Sequence, residues 1–304
     1  MSERDQRVEV ELPVAAAEAL IAAQFPTLGP VGARFLGEGR DHQAFAVTGG
    51  WMFRFPKHAA SERELVVERA VLPYLAARLP IPVPHFVHLG APGPGFPFPF
   101  VGYRPLPGTQ ALHLDAHRVA AGTVGAQLGR LLGELHRIPI AEARDWGVDF
   151  EDSTRSFGGL RSRALEAQQL ARRALPDNLV AAAVALIERP LPPAAGEPCL
   201  VHGALTEEHI LLAPDLATVT GIVDWGHLRI GDRAADFAGL YHWLGGPLVD
   251  AALDVYPLPV DDGLGDRARA MAAAMALAEA AYGIDTGRDE YVTAAGRALR
   301  HSLA

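Results

Sequence analysis

The polar residues best placed to do chemistry lie in one segment of the second half of the chain. An apolar run at Leu200–Val201 delivers a polar loop that contains His209, and a second apolar run, Val219–Val223, returns to Asp224. If these runs form a hairpin, His209 and Asp224 come to one edge of it, which is a way to hold a divalent ion. A plain hairpin with an isolated histidine and a turn aspartate fits the same spacing equally well.

The elements before this segment are typical of a small antiparallel sheet with helices. Val14–Phe25 is alanine-rich with its larger apolar side chains on one side, which predicts a short helix closed by Pro26. Ser61 and Glu64 have the spacing of a capping box, which predicts a second helix from there to about Leu79. Extended runs separated by turn glycines predict strands at Val31–Leu36, Gln43–Val47, Trp51–Phe55 and Phe96–Tyr103.

The best boundary between two domains lies at Arg104–Gly108, where prolines and a glycine interrupt the pattern. Beyond it, leucines at helical spacing predict a buried helix that ends near His136, and a helical stretch is predicted around Ala164–Arg189. Alanine-rich helices follow the polar segment. The sequence therefore predicts an α+β protein with a first domain at 1–103, a connector at 104–108 and a mainly helical domain at 109–304.

The charge is unevenly distributed along the chain. Among 304 residues, 27 are basic and 36 are acidic, so the net charge is −9. Up to Tyr103 there are 9 basic and 10 acidic residues, and after it 18 and 26, so the second part carries about −8. This distribution argues against a nucleic-acid partner and suits a cationic small ligand of the second part.

The single cysteine and the apolar runs indicate a compartment. Cys199 excludes an internal disulfide and lies in an apolar run that predicts a buried strand residue. The stretch Met1–Arg7 is charged and lacks the apolar core of a signal peptide. The longest apolar run, Ala270–Ala278, is too short to span a bilayer. We therefore expect a cytoplasmic protein without a membrane partner.

Four separated motifs resemble the aminoglycoside phosphotransferase family, small-molecule kinases built like protein kinases. The family's catalytic loop, His-Gly-Asp-x-x-x-x-Asn or -His, corresponds to His202–His209, and its metal motif to Val223–Gly226. The family pattern Gly-Asp-Pro-x-x-Asp corresponds to Gly231–Asp236. The final histidine of the loop is similar to the 2''-aminoglycoside and macrolide branches, and Phe53–His58 and Leu79–Pro84 are similar to the 2''-aminoglycoside branch. The resemblance covers nearly the whole chain and implies a bilobal protein-kinase-like fold.

The resemblance also implies that the first domain binds ATP or GTP. It places Gly37 and Gly39 in the loop over the nucleotide phosphates and Arg54 where the family has its phosphate-binding lysine, with Lys57 as the second choice. Glu68 matches the acidic partner that orients this cation. Without the resemblance, these residues fit a hairpin turn, a solvated turn lysine and a surface glutamate.

The connector is expected to bind the nucleotide base through its backbone. It runs from Tyr103 through Arg104 to Leu106. The Leu106 amide is the expected donor because Pro105 has no N–H.

In the second domain, the resemblance assigns His209 and Asp224 as ligands of Mg²⁺. It also implies that Asp236 braces the catalytic loop through backbone amides and that His202 is a bracing residue rather than a base. Magnesium prefers oxygen ligands, so a histidine is an unusual member of this set.

One position departs from the family in a way that bears directly on catalysis. The family's catalytic aspartate, which accepts or orients the proton of the attacked hydroxyl, falls on Ala204. A methyl group cannot accept a proton, and loss of a positioned base lowers a rate by roughly 10²- to 10⁴-fold. The chain is therefore an inactive or crippled relative, natural or engineered, unless Glu207 or Glu208 replaces the base.

The acceptor is the least defined part of the sequence. Polycationic aminoglycosides need carboxylates, and Asp285, Asp289 and Glu290 could supply them or be solvated helix ends. A macrolide needs an apolar wall, and Tyr241 and Trp243 could form one or belong to the core. We expect an antibiotic O-phosphotransferase that is aminoglycoside-like, with a macrolide phosphotransferase and a catalytically dead nucleotide- or ligand-binding protein as alternatives.

Overall fold

The computed structural model describes residues 10–153 and 155–304, which form two compact units. The first unit consists of the described part of Met1–Ala77 together with Val83–Leu106, and the second of Arg78–Pro82 and Pro107–Ala304. The charged segment Met1–Arg7 lies outside the described residues.

The first unit contains one antiparallel sheet of five strands in the order β1-β2-β3-β5-β4. The predicted meander is confirmed, with strand ends that agree or shift by up to four residues. The strands are β1 Ala33–Glu38, β2 His42–Val47, β3 Trp51–Pro56, β4 Phe86–Gly90 and β5 Phe100–Tyr103.

Strand β4 was not predicted, because apolar residues lie on its solvent-facing side. Val87 and Leu89 point outward and are about half exposed. His88 packs instead on the rings of Trp51 and Phe53, at 4.4 and 5.7 Å between ring centroids. A strand with two apolar residues facing solvent, and with Phe86, His88 and Gly90 on its inner side, gives no periodic core signal.

Two helices belong mainly to the first unit, α1 at Val14–Gln24 and α2 at Ala59–Arg78. Helix α1 places Ala17, Leu20 and Ile21 in a core with the phenylalanines of the sheet. Both helices were predicted; the ends of α1 agree within one residue, whereas α2 begins two residues before the predicted start at Ser61 and ends one residue before Leu79.

The start of α2 differs from the predicted capping box. The backbone N–H of Ser61 donates to His58 Nδ1 and that of His58 donates to Ser61 Oγ, both at 3.2 Å. The reciprocal pair is therefore His58 with Ser61, one turn earlier than the predicted pair of Ser61 with Glu64. Histidine is not among the usual N-cap residues, so the sequence did not point to it.

The second unit is mainly helical, with two small sheets ordered β6-β8-β9 and β7-β10. Its helices are α3 Ala121–His136, α4 Ile140–Asp145, α5 Phe157–Ala171, α6 Asp177–Glu188, α7 Ala234–Leu244, α8 Gly246–Leu253, α9 Leu264–Thr286 and α10 Asp289–Leu303. Its strands are β6 Thr109–Gln110, β7 Cys199–Val201, β8 Ile210–Leu212, β9 Val219–Ile222 and β10 Arg229–Gly231.

Two expectations about this unit are corrected. The stretch 164–189 is two helices rather than one, because Pro176 cannot continue α5 and instead precedes the first residue of α6. The hairpin forms between β8 and β9, whereas β7, which delivers the polar loop, pairs with β10. His209 directly precedes β8 and Asp224 follows β9, so both still lie at the same end of that hairpin.

The α+β class is confirmed. Among the residues that the structure describes, no helix is long and apolar enough to cross a membrane.

The His58–Ser61 cap generates a stability prediction. Replacing Ser61 by alanine removes the hydroxyl from a buried cap, so we expect the free energy of unfolding to fall by about 1 kcal/mol. Urea unfolding measures this change. Ser162→Ala is the control, because that hydroxyl is exposed and bonds only to Gly158 O one turn back in α5, and we expect a change below about 0.5 kcal/mol. Equal losses in the two variants would contradict the cap.

Candidate active site

A buried carboxylate, Asp236, anchors the loop His202–His209. Asp236 lies in the first turn of α7, where its Oδ2 accepts the His202 amide at 3.0 Å and its Oδ1 the Gly203 amide at 2.8 Å. His136 Nε2 lies 3.0 Å from Oδ2. Burial alone would raise the pKa of Asp236, but the bonds from His136 and the loop amides hold it below its usual value. The bracing contact implied by the resemblance is present.

The His202 side chain ties the same loop to the chain after β9. Its Nδ1 accepts the Ala204 amide at 3.3 Å, which leaves Nε2 as the protonated nitrogen that donates to Val223 O at 3.2 Å. The ring also packs on Trp225, 4.6 Å away. Burial lowers the pKa of His202 to about 4, against the opposing charge of Asp236. Both ring nitrogens of His202 are thus engaged in contacts within the loop and with the chain after β9.

Gly203 is required by its backbone and by its surroundings. Its φ is +80°, and an added Cβ would lie 1.7 Å from Arg229 Nη1. Arg229 therefore fills the space that any other residue at 203 would need.

His209 and Asp224 are brought together as the sequence suggested. His209 Nε2 lies 3.2 Å from Asp224 Oδ2, and His209 Nδ1 donates to Ala204 O at 2.6 Å. Burial would lower the pKa of His209, but the hydrogen bond and charge of Asp224 raise it to about 9. Asp224 itself has φ +64°, a left-handed conformation that is uncommon outside glycine. His227 Nε2 lies 4.0 Å from the same Asp224 oxygen.

Asp224, together with His209 once Nε2 has lost the proton that faces Asp224, fits a divalent ion that arrives with phosphate ligands. Within residues 10–153 and 155–304, no group of three or more histidine, cysteine or acidic side chains could hold an ion alone. Magnesium is commonly bound through one or two carboxylates plus substrate phosphates, which matches a site with Asp224 as its one carboxylate. The bond from His209 Nδ1 to a carbonyl points Nε2 toward Asp224, as it does in ligating histidines.

Both glutamates near Ala204 make side-chain contacts with other parts of the second unit. Glu207 is fully buried, with His242 Nδ1 3.0 Å from its Oε2 and an Arg297 donor on its Oε1. Glu208 Oε1 accepts the hydroxyl of Tyr291 at 2.6 Å. Both carboxylates are therefore committed to contacts within the second unit.

In the first unit, Arg54 and Glu68 form a buried ion pair. Arg54 Nη1 on β3 lies 3.2 Å from Glu68 Oε1 on α2, and both side chains are at least nine-tenths buried. His42 Nδ1 lies 3.3 Å from Arg54 Nη2. Lys57, the second choice for the same role, instead lies 3.4 Å from Glu38 at the end of β1. The partnership between cation and helix glutamate that the resemblance implies is made by Arg54.

The glycine loop and the connector are placed at the ends of strands. No atom lies within 4 Å of the position that a Cβ would take at Gly37 or Gly39, so the space beside their backbone is open. Arg104 follows β5, stacks 3.9 Å from the ring of Trp51 and donates to Gly49 O. Leu106 is half-buried and is the last residue of the first unit.

The five candidate acceptor residues fall into two groups, two aromatic residues on α7 and three acids, of which Asp289 is exposed at the first position of α10. Trp243 is fully buried and Tyr241 is 6% exposed, both on α7, which favours their alternative interpretation as core residues. Asp285 is exposed near the end of α9, and Glu290 pairs with Arg288 at 3.1 Å at the start of α10.

Asp232, the other acid of the Gly231–Asp236 motif, forms an ion pair that was not predicted from the sequence. Arg267 Nε binds Asp232 Oδ2 at 2.6 Å, and Arg267 Nη1 binds Asp261 at 2.7 Å. This triad lines a cavity of about 440 Å³ in the second unit, but His209, Asp224 and Ala204 are not among the lining residues.

His136 was also missed, although a signal was present. It ends the apolar stripe of α3, where a buried polar residue requires a partner, and it contacts both Asp236 and the hydroxyl of Tyr256. Cys199 behaves as expected for a buried strand residue, since burial raises the pKa of its thiol to about 12.

The fold and these contacts define a kinase-like phosphotransferase class. The family model described as "Phosphotransferase enzyme family" matches residues 32–272, and the chain belongs to that family. Solved structures confirm the fold. The GDP complex of wild-type aminoglycoside 2'-phosphotransferase-IIIa is 22% identical with a TM-score of 0.69, covering 96% of this chain and 99% of that one.

Two other solved structures are similar over comparable lengths. The GDP and kanamycin complex of APH(2")-IIia is 23% identical with a TM-score of 0.68, covering 93% of this chain and 97% of that one. The macrolide 2'-phosphotransferase MphH from Brachybacterium faecium is 22% identical with a TM-score of 0.61, covering 94% and 97%.

The contact between Gly203 and Arg229 generates a second stability prediction. Gly203→Ala imposes a left-handed conformation on alanine, which costs about 1–2 kcal/mol, and displaces a buried guanidinium. We expect a total loss of more than about 2 kcal/mol in the free energy of unfolding. The matched control is Gly122→Ala in the first turn of α3, where nothing lies near the added methyl and stability should stay equal or rise. A tolerated Gly203→Ala would contradict the assigned constraint.

Proposed function

We propose that this protein binds a magnesium complex of ATP or GTP and that Ala204 strongly weakens its transfer of phosphate to a small-molecule hydroxyl. The observation that carries the proposal is the pair His209 and Asp224, held by a loop that Asp236 braces. This pair lies in the segment that matches the family's metal and catalytic motifs.

Each unit would contribute its own part of the chemistry. In the first unit, Glu68 would hold Arg54 in place to neutralise phosphate charge, and the open backbone at Gly37 and Gly39 would admit the phosphates. The Leu106 amide would bind the base edge. In the second unit, Asp224 and His209 would hold the ion, which supplies charge stabilisation to the transferring phosphate.

The absence of the family's base at residue 204 limits the rate of phosphate transfer. The carboxylate that would take the hydroxyl proton is absent at residue 204, and Glu207 and Glu208 are engaged elsewhere. Binding and positioning survive such a loss better than proton transfer does. This favours, as the second candidate function, a nucleotide- or ligand-binding protein with no measurable transfer.

For the acceptor, an aminoglycoside-like polycation has more support than a macrolide. The apolar stretch after Asp236 was the candidate for a macrolide wall, and its aromatic residues Phe237, Tyr241 and Trp243 are all buried. The exposed carboxylates of Asp285 and Asp289 favour a cation. Solved neighbours include a complex with kanamycin as well as a macrolide 2'-phosphotransferase.

Nucleotide binding by the wild type is the first test. Magnesium with ATP or GTP at 100 times the Kd should raise the free energy of unfolding by about 2.7 kcal/mol, and no stabilisation by either nucleotide would refute the proposal. Arg54→Gln keeps a hydrogen-bond donor for Glu68 but removes the charge, so calorimetry should show nucleotide affinity about 10- to 100-fold weaker. Lys57→Gln is the matched control and should bind nearly as the wild type does. A larger loss of nucleotide affinity in Lys57→Gln than in Arg54→Gln would assign the phosphate contact to Lys57.

Turnover tests the role of Ala204. Ala204→Asp restores a proton acceptor, so phosphate transfer on a panel of aminoglycosides and macrolides should rise by roughly 10²- to 10⁴-fold. Ala204→Asn is the control, since it has the same shape but accepts no proton. Equal turnover by the wild type and Ala204→Asp would show that another group serves as the base.

A further inference from the structure

The last helix, α10, contacts two successive glutamates of the loop His202–His209. Arg297 Nη2 donates to Glu207 Oε1 at 2.5 Å, and the hydroxyl of Tyr291 donates to Glu208 Oε1 at 2.6 Å. Arg297 Nε also donates to Trp243 O on α7, at 3.2 Å. The residues that immediately precede His209 are thus held by the final helix of the chain.

Glu207 belongs to a buried network of four charged side chains from four elements. His242 on α7 lies between Glu207 and Glu279 of α9, at 3.0 and 2.6 Å, and Arg297 completes the set. Burial would lower the pKa of His242, but the charges of Glu279 and Glu207 raise it to about 10, while burial raises the pKa of Glu279. Removing one partner from such a buried set leaves an uncompensated charge.

Three further hydrogen bonds hold the segment between Glu207 and His209. The His209 amide donates to Thr206 O at 3.0 Å, and the Glu207 carbonyl accepts the Leu112 amide at 3.0 Å. Gln110 Nε2 donates to Glu208 O at 2.8 Å. Because these bonds fix the backbone and the side chain of Glu207, we expect the ring of His209, two residues later, to move little.

We propose that Arg297 is a positioning residue, which acts through Glu207 to hold His209 where it binds the metal of the metal–nucleotide complex. The inference rests on the proposed function and adds to it that α10 sets the metal dependence of nucleotide binding. Partners that orient a metal ligand typically change metal affinity about 10- to 100-fold when lost.

The test measures how much Mg²⁺ the full-length protein needs to bind nucleotide. For the wild type and Arg297→Met, nucleotide binding is titrated with Mg²⁺ by calorimetry, and nucleotide affinity is also measured in EDTA. We expect the Mg²⁺ concentration at half-maximal binding to rise about 10-fold in Arg297→Met, with metal-free affinity unchanged within about twofold. Arg300→Met, an exposed arginine on the same helix, should match the wild type in both measurements.

Arg297→Met leaves a buried carboxylate with one partner fewer. A milder second variant keeps the test valid if Arg297→Met does not fold. Tyr291→Phe removes only the hydroxyl that bonds Glu208, which is half-buried, and should raise the Mg²⁺ midpoint about threefold. A purely structural role would lower the free energy of unfolding without moving that midpoint. One outcome refutes the inference about Arg297 but leaves the proposed function intact. In that outcome the wild type needs Mg²⁺ to bind nucleotide, and its Mg²⁺ midpoint is unchanged in Tyr291→Phe and in every folded Arg297 variant. If the wild type binds no nucleotide, the proposed function fails with it.

Discussion

The candidate site depends on the buried carboxylate of Asp236 and its three donors. Two of these are consecutive backbone amides, those of His202 and Gly203, and the third is the ring of His136. A carboxylate with no exposure to solvent is stable only if such donors replace its water. The same bonds fix where the chain leaves β7, and so determine where the loop that carries His209 begins.

Part of the acidic excess in the second part of the chain belongs to buried or partly buried ion-pair networks. Asp232 and Asp261 share Arg267, while Glu207 and Glu279 flank His242 beside Arg297. These carboxylates are structural and are not offered to a ligand, so net charge overstates the negative surface available to a polycation. Exposed acids such as Asp285 are a smaller set than the sequence count indicates.

The elements were predictable where local patterns decide them, and the site's partners were not. Leucine spacing located α3, and turn glycines located the first three strands, because those signals lie within a few residues. The partners of Glu207 are 35 and 90 residues away in His242 and Arg297, and no local pattern encodes such pairing. Glu207 therefore looked like a candidate base in the sequence and is a buried anchor in the structure. Arg54 and Glu68 were matched through the family motif rather than through their spacing.

Residue 204 shows why binding and transfer can be separated in this architecture. Every hydrogen bond that Ala204 makes within the described chain uses its backbone, since its amide donates to His202 and its carbonyl accepts from Thr206 and His209. The side chain at 204 supports none of these bonds. The loop can therefore keep the conformation that places His209 beside Asp224 whether residue 204 carries a methyl or a carboxylate. Under the proposed function, the absence of a carboxylate at residue 204 therefore bears on proton transfer rather than on the placement of His209 beside Asp224.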